Sequence, residues 1–362
     1  MASEQLKTVL EIIKSGPDTR GATVDQMRAR METISERVAK DVACKPVDAA
    51  GIPGEWIVPP GSADDQVILY LHGGGYVMGS IHTHRAMIAR IARASKARAL
   101  AINYRLAPEH PFPAAVEDAV AAYRWLLELG HRGSSIAVVG DSAGGGLALA
   151  TVVALRDSGT PLPAAIVAMS PWTDLAATGA SITSNAANDV MVCEEDLLWM
   201  AGMYFGKNDP KTPLVSPLYA DLSRLPPLLV QVGSAEILLD DATRTTECAR
   251  AAGVQVELEV WEEMLHGWHL FAKLLPEGQQ AINRRTDSSA VPFCVRRGGP
   301  NSQNGPGDFW GAPGRWHPPE RAARDLPKDS RIMHRPRGGP RTQDRLNRAE
   351  QIGFFALGQR DA

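Results

Sequence analysis

One pairing recurs along this chain and limits what it can become: a short strand-like segment, a turn of small residues, then a segment with helical spacing. Val67–Leu71 is a continuous apolar run, and strand-like segments recur at Ala99–Tyr104, Ser135–Val139, Ala165–Met169, Leu228–Val232 and Val256–Val260. Segments with helical periodicity follow at Thr83–Ser95, Ala114–Leu129, Leu147–Leu155, Thr243–Ala252 and from His269 to Arg284. A run without polar alternation suits a strand covered on both faces. Strand and helix in alternation predict a mostly parallel sheet with helices on both sides. The chain has 362 residues, 44% apolar and 22% charged, enough for one such core and too apolar for a wholly disordered chain.

Two regions depart from the pairing. The first 45 residues read as helical, with Leu6, Val9, Leu10 and Ile13, then Met27, Met31, Ile34 and Val38, at helix spacing. Residues 181–225 carry an apolar cluster of Trp199, Met200, Met203, Tyr204 and Phe205. An insertion beyond the C-terminal end of a strand sits over the crevice where such sheets bind ligands.

The C-terminal stretch is different again. From Gln279 onward there are 15 Lys and Arg against 8 Asp and Glu, leaving 23 against 33 in the rest. Its Gly- and Pro-rich text has no period of 2 or 3.6. We expect 285–362 to be a basic, disordered tail without site residues, such as a reading-frame change in a GC-rich gene or read-through into vector would yield; a genuine basic extension is the other reading. The final helix should lose its apolar stripe at Arg284, baring a sheet face and favouring self-association, with a homodimer as the expected assembly.

Other classes are set aside on simple grounds. No apolar run approaches the roughly 18 residues of a membrane span. The N-terminus lacks the basic start and apolar core of a signal peptide. Four well-separated cysteines, Cys44, Cys193, Cys248 and Cys294, show no metal-ligand spacing, so no cysteine metal site is expected and a reducing cytoplasm fits. A net charge of −3 does not suggest a nucleic-acid partner.

Chemistry concentrates in four places. Gly140-Asp141-Ser142-Ala143-Gly144 fits G-x-S-x-G between a strand and a helix, the context that exposes a nucleophilic serine on a sharp turn. His72-Gly73-Gly74-Gly75 closes the preceding strand, and its backbone N–H groups can approach a developing oxyanion. Gly74 and Gly75, with Ala143, are the expected donors, while His72 is better read as ordering the loop. A serine needs a base, and His266 lies beyond the last strand, as the order Ser, acid, His requires. His269 should fall inside the final helix, and His82, His84, His110 and His131 fit that order poorly. For the acid, Glu236 stands first beyond Leu228–Val232; Asp240 and Asp241 suit the start of the next helix.

The motifs HGGGYVMGS, YRLAPEHPFPAA, GDSAGGGLA, SPWTDL, GSAEILLDDA and MLHGW resemble, in order and spacing, the bacterial hormone-sensitive lipase family of esterases, also called family IV. The resemblance spans about Ala2 to Asn283. It implies an α/β-hydrolase fold with a helical cap from residues 1–45 and 181–225, on a core of 46–180 and 226–284. It implies a cofactor-free serine carboxylesterase for short- to medium-chain esters, whose partner is a small-molecule ester. It puts the nucleophile on Ser142, the base on His266 and the oxyanion donors on Gly74, Gly75 and Ala143. The family's acid is usually the aspartate of D-x-L; here Glu236-Ile237-Leu238 stands there, one methylene longer, which keeps Asp240 as an alternative. Trp199, Met203, Tyr204 and Phe205 are candidates for the substrate pocket or for the cap's own core. An amidase, lactonase or deacetylase would use the same groups. A non-catalytic ligand-binding relative would lack a triad residue, whereas both Ser142 and His266 are present.

Overall fold

The computed structural model describes residues 3–16, 21–33 and 35–287, with side chains to residue 284. Expectations for the basic tail therefore lie outside the described residues. The eight strands are β1 (Ala43–Ala49), β2 (Ile52–Val58), β3 (Ala63–Leu71), β4 (Ala97–Ile102), β5 (Ile136–Asp141), β6 (Ala165–Met169), β7 (Leu228–Gly233) and β8 (Val256–Trp261). They form one sheet in the order β1-β2-β4-β3-β5-β6-β7-β8. β1 pairs antiparallel with β2, β2 antiparallel with β4, and every later pair is parallel. The nine helices are α1 (Glu4–Lys14), α2 (Val24–Glu32), α3 (Ile81–Ala94), α4 (Ala114–Glu128), α5 (Ala143–Asp157), α6 (Ser181–Ser184), α7 (Glu194–Phe205), α8 (Leu239–Ala251) and α9 (Pro276–Asp287), among the described residues.

Alternation within each strand sorts the core. Val67, Leu69 and Leu71 of β3 and Ile136 and Val138 of β5 face α4, α5 and α8. Ile68 and Tyr70, with Ala137 and Val139, face Ile88 and Ile91 of α3 and Ile282 of α9. All of these residues are at most 2% exposed, so both faces of the central strands are covered, as the unbroken apolar runs require. Burying each such side chain contributes roughly 1.5–3 kcal/mol.

Several elements differ from the sequence reading. The β1–β2 hairpin has no continuous apolar run: most of β1 is exposed or half-buried and carries Pro46, as its edge position allows, while Pro53 and Gly54 stand near the start of β2. β1 starts at Ala43, inside the segment expected for the cap. The second N-terminal helix stops at Glu32 rather than reaching Val38, its start fixed by a capping box between Thr23 and Gln26. The last helix begins at Pro276, not His269, because Trp268–Phe271 form a separate 3-10 turn behind Gly267, which is left-handed at φ 64°. α8 begins four residues earlier than its periodicity suggested, taking Asp240 and Asp241 into its first turn.

Helix α1 is short, yet it matters for the site. Leu6, Val9 and Ile13 pack with Val190 of the insertion and with Met264, Leu265 and Trp268, the residues bracketing His266. The N-terminus thereby braces the loop that carries the imidazole. Among the described residues no helix is long and apolar enough to cross a membrane.

Candidate active site

Ser142 lies between the end of β5 and the start of α5 with φ 53° and ψ −123°, a conformation costly for any residue but glycine. The surroundings hold it there. Its N–H donates to the Met169 carbonyl at 2.8 Å, and its own carbonyl accepts from Trp172 N–H at 3.0 Å and Gly145 N–H at 2.9 Å. A Cβ on Gly140 would collide with the Gly144 carbonyl, and one on Gly144 with the carbonyl of Leu71. The glycines two residues either side of Ser142 are thus required by contact with backbone.

The Ser142 hydroxyl lies 2.9 Å from His266 Nε2, and His266 Nδ1 lies 2.9 Å from Glu236 Oε2. An ionised carboxylate can only accept, so Nδ1 carries the proton and Nε2 is free to accept from Ser142. Glu236 is fully buried and anchored by its other oxygen. Oε1 accepts from the Gly233 N–H at 2.6 Å and from the Ser170 hydroxyl at 2.7 Å. Ser170 also accepts the Gly267 N–H at 3.2 Å, tying the acid to the residue after the imidazole.

Burial pushes the Glu236 carboxyl up from its ordinary value, though its bonds to His266 and Gly233 pull against it. For His266, burial alone would lower the pKa. The hydrogen bond and charge of Glu236, with the charges of Asp189 and Asp141 beyond, outweigh it and raise His266 above 6.5. Asp189 is buried too, accepting the N–H groups of Met191, Val192 and Ile237.

The glycine loop meets the serine from the other side. Gly74 and Gly75 have φ 114° and 61°, and both line the cavity that contains Ser142 and His266. Among the described residues the N–H groups of Gly74, Gly75 and Ala143 have no acceptor within the protein. Ala143 is the first residue of α5, where N–H groups carry no intrahelical bond and favour negative charge. His72 is turned away: its ring stacks on Tyr104 at 4.3 Å, and Nδ1 donates to the Gly73 carbonyl at 2.8 Å. Burial and the neighbouring His84 hold its pKa down, at about 3.

A second histidine–carboxylate pair lies behind the nucleophile. Asp141 accepts from Tyr70 at 2.6 Å and from the Gly73 N–H at 3.1 Å, and its Oδ2 faces His84 Nε2 at 3.3 Å. The opposite nitrogen of His84 sits 2.7 Å from the Thr83 hydroxyl and 3.2 Å from the Ser80 carbonyl.

Glu236 is thus the carboxylate brought to His266. Asp240 accepts the Ser181 N–H at 3.1 Å, and Asp241 accepts those of Thr173 and Asp174, both at 2.8 Å. His269 is buried against Gln231 at 3.0 Å. The aromatic cluster of the insertion does not line the cavity. Trp199 is 41% exposed, and Tyr204 stacks on Tyr76 at 3.7 Å, inside the packing beneath the insertion. The cavity, about 140 Å³, is instead walled by Leu197 and Met200 of α7 and Met27 and Met31 of α2. Ser170 and Asp189 escaped the sequence reading, as did the pairing of His84 with Asp141, since His84 was weighed there only as a base. Only Ser170 offered a cue, as the first residue past a predicted strand, where functional side chains collect.

A family model for the alpha/beta hydrolase fold matches residues 68–270. An acetyl-hydrolase of Streptomyces hygroscopicus is 46% identical over 285 residues, covering 78% of this chain and 95% of its own length. A crystal structure of an esterase from the bacterial hormone-sensitive lipase family is 53% identical with a TM-score of 0.76, over 78% of this chain and 96% of that one. A structure of the esterase EstE5 soaked with p-nitrophenyl butyrate is 47% identical, also with a TM-score of 0.76, over the same shares. With the sheet order, the serine turn and these likenesses together, the chain belongs to the hormone-sensitive lipase family of α/β-hydrolase carboxylesterases.

Proposed function

We propose that the chain hydrolyses short- to medium-chain carboxylic esters with Ser142 as nucleophile, His266 as base and Glu236 as the acid that orients it. The observation that carries this reading is the line of two 2.9 Å contacts from Glu236 through His266 to Ser142, facing three unsatisfied N–H groups. Ser142 Oγ attacks the ester carbonyl as its proton passes to His266 Nε2. The carbonyl electron pair becomes an oxyanion held by the N–H groups of Gly74, Gly75 and Ala143, each contributing on the order of 3 kcal/mol in the transition state. Collapse expels the alcohol, which takes its proton from His266. Water, deprotonated by the same imidazole, then cleaves the acyl-enzyme.

A cap from the N-terminal helices and the 181–225 insertion is supported by the cavity, whose walls combine α2 and α7 with the serine. The relative named an acetyl-hydrolase and the butyrate ester soaked into EstE5 favour small acyl groups here too. A reducing, cytoplasmic setting is supported by the thiols of Cys44 and Cys248, and a homodimer by the outer edge strand β8 with Val260 47% exposed. Turnover of p-nitrophenyl butyrate by the wild type and by Ser142→Ala tests the reading. Loss of all but a trace in the variant is expected, and a variant that keeps most of the rate overturns it.

A further inference from the structure

The chain holds 11 methionines, about 3% of its residues. Six of them, Met27, Met31, Met78, Met87, Met191 and Met200, are among the 21 residues lining the cavity over Ser142. They come from α2, the loop after the glycines, α3, the stretch before α7, and α7 itself, so no local repeat explains the gathering. Met27, Met78, Met87 and Met200 are all at most 7% exposed and belong to the enclosed wall rather than to its surface. Met200 has a particular place: a Cβ on Gly75 would collide with its sulfur, so the thioether rests directly on the oxyanion loop.

Methionine is unbranched, with three rotatable bonds and a polarisable sulfur, and it repacks around different shapes at low cost. A wall of leucine or isoleucine would present a fixed outline. We propose that this methionine wall makes the site an adaptable one for apolar acyl groups, linear and branched, and that Met200 is the specificity-determining residue that limits bulk beside the reacting carbonyl. The inference rests on the esterase reading above and names which esters it admits.

The test compares kcat/KM for p-nitrophenyl acetate and p-nitrophenyl pivalate, each divided by that ester's rate of hydroxide hydrolysis. Met200→Ala opens space equal to several heavy atoms, and the pivalate-to-acetate ratio should rise about tenfold, since a single methylene in an apolar pocket changes discrimination by roughly tenfold or more. Met200→Leu keeps the volume but stiffens the wall, and the ratio should fall at least threefold. A purely structural role would lower both esters together and leave the ratio alone. Ratios within threefold of wild type for Met200→Ala overturn the proposal. If that variant does not fold, Met200→Leu decides, and an unchanged ratio there overturns it as well. Failure of the esterase reading looks different, because the wild type would then turn over neither ester.

Discussion

Two buried histidine–carboxylate pairs flank Ser142, and their chemistry differs although their parts are the same. In Glu236–His266 one imidazole nitrogen meets the acid and the other meets the serine hydroxyl. In Asp141–His84 both nitrogens face anchoring groups: Asp141 on one side, the Thr83 hydroxyl and Ser80 carbonyl on the other. The first pair leaves a lone pair for proton transfer; the second leaves none. Their carboxylates also differ. Burial raises Glu236, whereas for Asp141 burial is outweighed by His84, Tyr70 and His72, and its pKa falls to about 2. Asp141 remains an anion that fastens Gly73, and so the glycine loop, to the serine turn. A buried charge pair is thus a proton relay only where one partner keeps an unused site beside a nucleophile.

The largest expected effect separates the two pairs by kind of damage. Glu236→Ala should cost on the order of 10³- to 10⁴-fold in kcat, because His266 loses its orienting acid. Melting temperature should fall as well, because the buried Gly233 N–H and Ser170 hydroxyl lose their acceptor, and steady-state kinetics on the folded fraction beside a thermal melt checks both. The mirror experiment is His84→Ala. Removing one partner of a buried pair leaves an uncompensated charge, destabilising by about 3–5 kcal/mol. Turnover by the molecules that stay folded should fall far less than in Glu236→Ala. If His84→Ala matched it in kcat at unchanged stability, the division between relay and anchor would collapse.

pH sharpens the contrast. His266 must be neutral to accept the serine proton, so kcat/KM should rise with pH through a pKa above 6.5, in the direction that Glu236 and Asp189 shift it. Glu236→Gln should move that limb to lower pH, because burial is then opposed by less negative charge. A limb that stays put would detach Glu236 from the base. Stability should follow the other pair. Asp141 is depressed, so its contribution is present above 3.8 and lost as pH falls through about 2. His84 is raised, so its contribution is complete below 6.5 and lost as pH rises through its folded value. The melting-temperature gap between wild type and His84→Ala should therefore be widest between those limits and narrow above them.

The smallest effect concerns Asp241, which burial pushes up to about 7. A raised acid costs stability progressively as pH climbs from 3.8 to about 7. Asp241→Asn can still accept the Thr173 and Asp174 N–H groups, and it should match wild type near pH 4 and melt higher at pH 8. An equal loss at both values would show that the shape of the site, rather than its charge, matters.

The two pairs were not equally visible in the sequence. Ser142, Gly74 and Gly75 stand in local motifs: Gly74 is demanded by the Met78 carbonyl and Gly140 by that of Gly144, a few residues away, while Gly144 answers to the distant Leu71 carbonyl and Gly75 to the Met200 side chain. His266 follows from chain order, and Glu236 stood out by standing first beyond β7. His84 could not be paired with Asp141, because α3 reaches that carboxylate only through the parallel packing of β3 beside β5. Strands β3, β5 and β6 were legible because burial on both faces leaves a continuous apolar run, and β7 and β8 by their place in the alternation of strand and helix, since β8 carries Glu257 and Glu259 and leaves Val260 exposed. The β1–β2 hairpin was not, since an edge needs no such run. The aromatic residues of the insertion drew attention by size, but Tyr204 serves packing against Tyr76, while Met200, one turn earlier, meets the cavity.

The central claim is that Glu236 acts on Ser142 through His266, and phosphonylation tests it most directly. A p-nitrophenyl alkylphosphonate reacts once with an activated serine and stays bound. Wild type should gain a single adduct per chain, mapped by mass spectrometry to the peptide of Ser142. The labelling rate should rise along the same pH limb as turnover, and Glu236→Ala should slow it by about the factor by which it lowers kcat. An adduct on another residue, or labelling of Glu236→Ala as fast as wild type, would contradict the account.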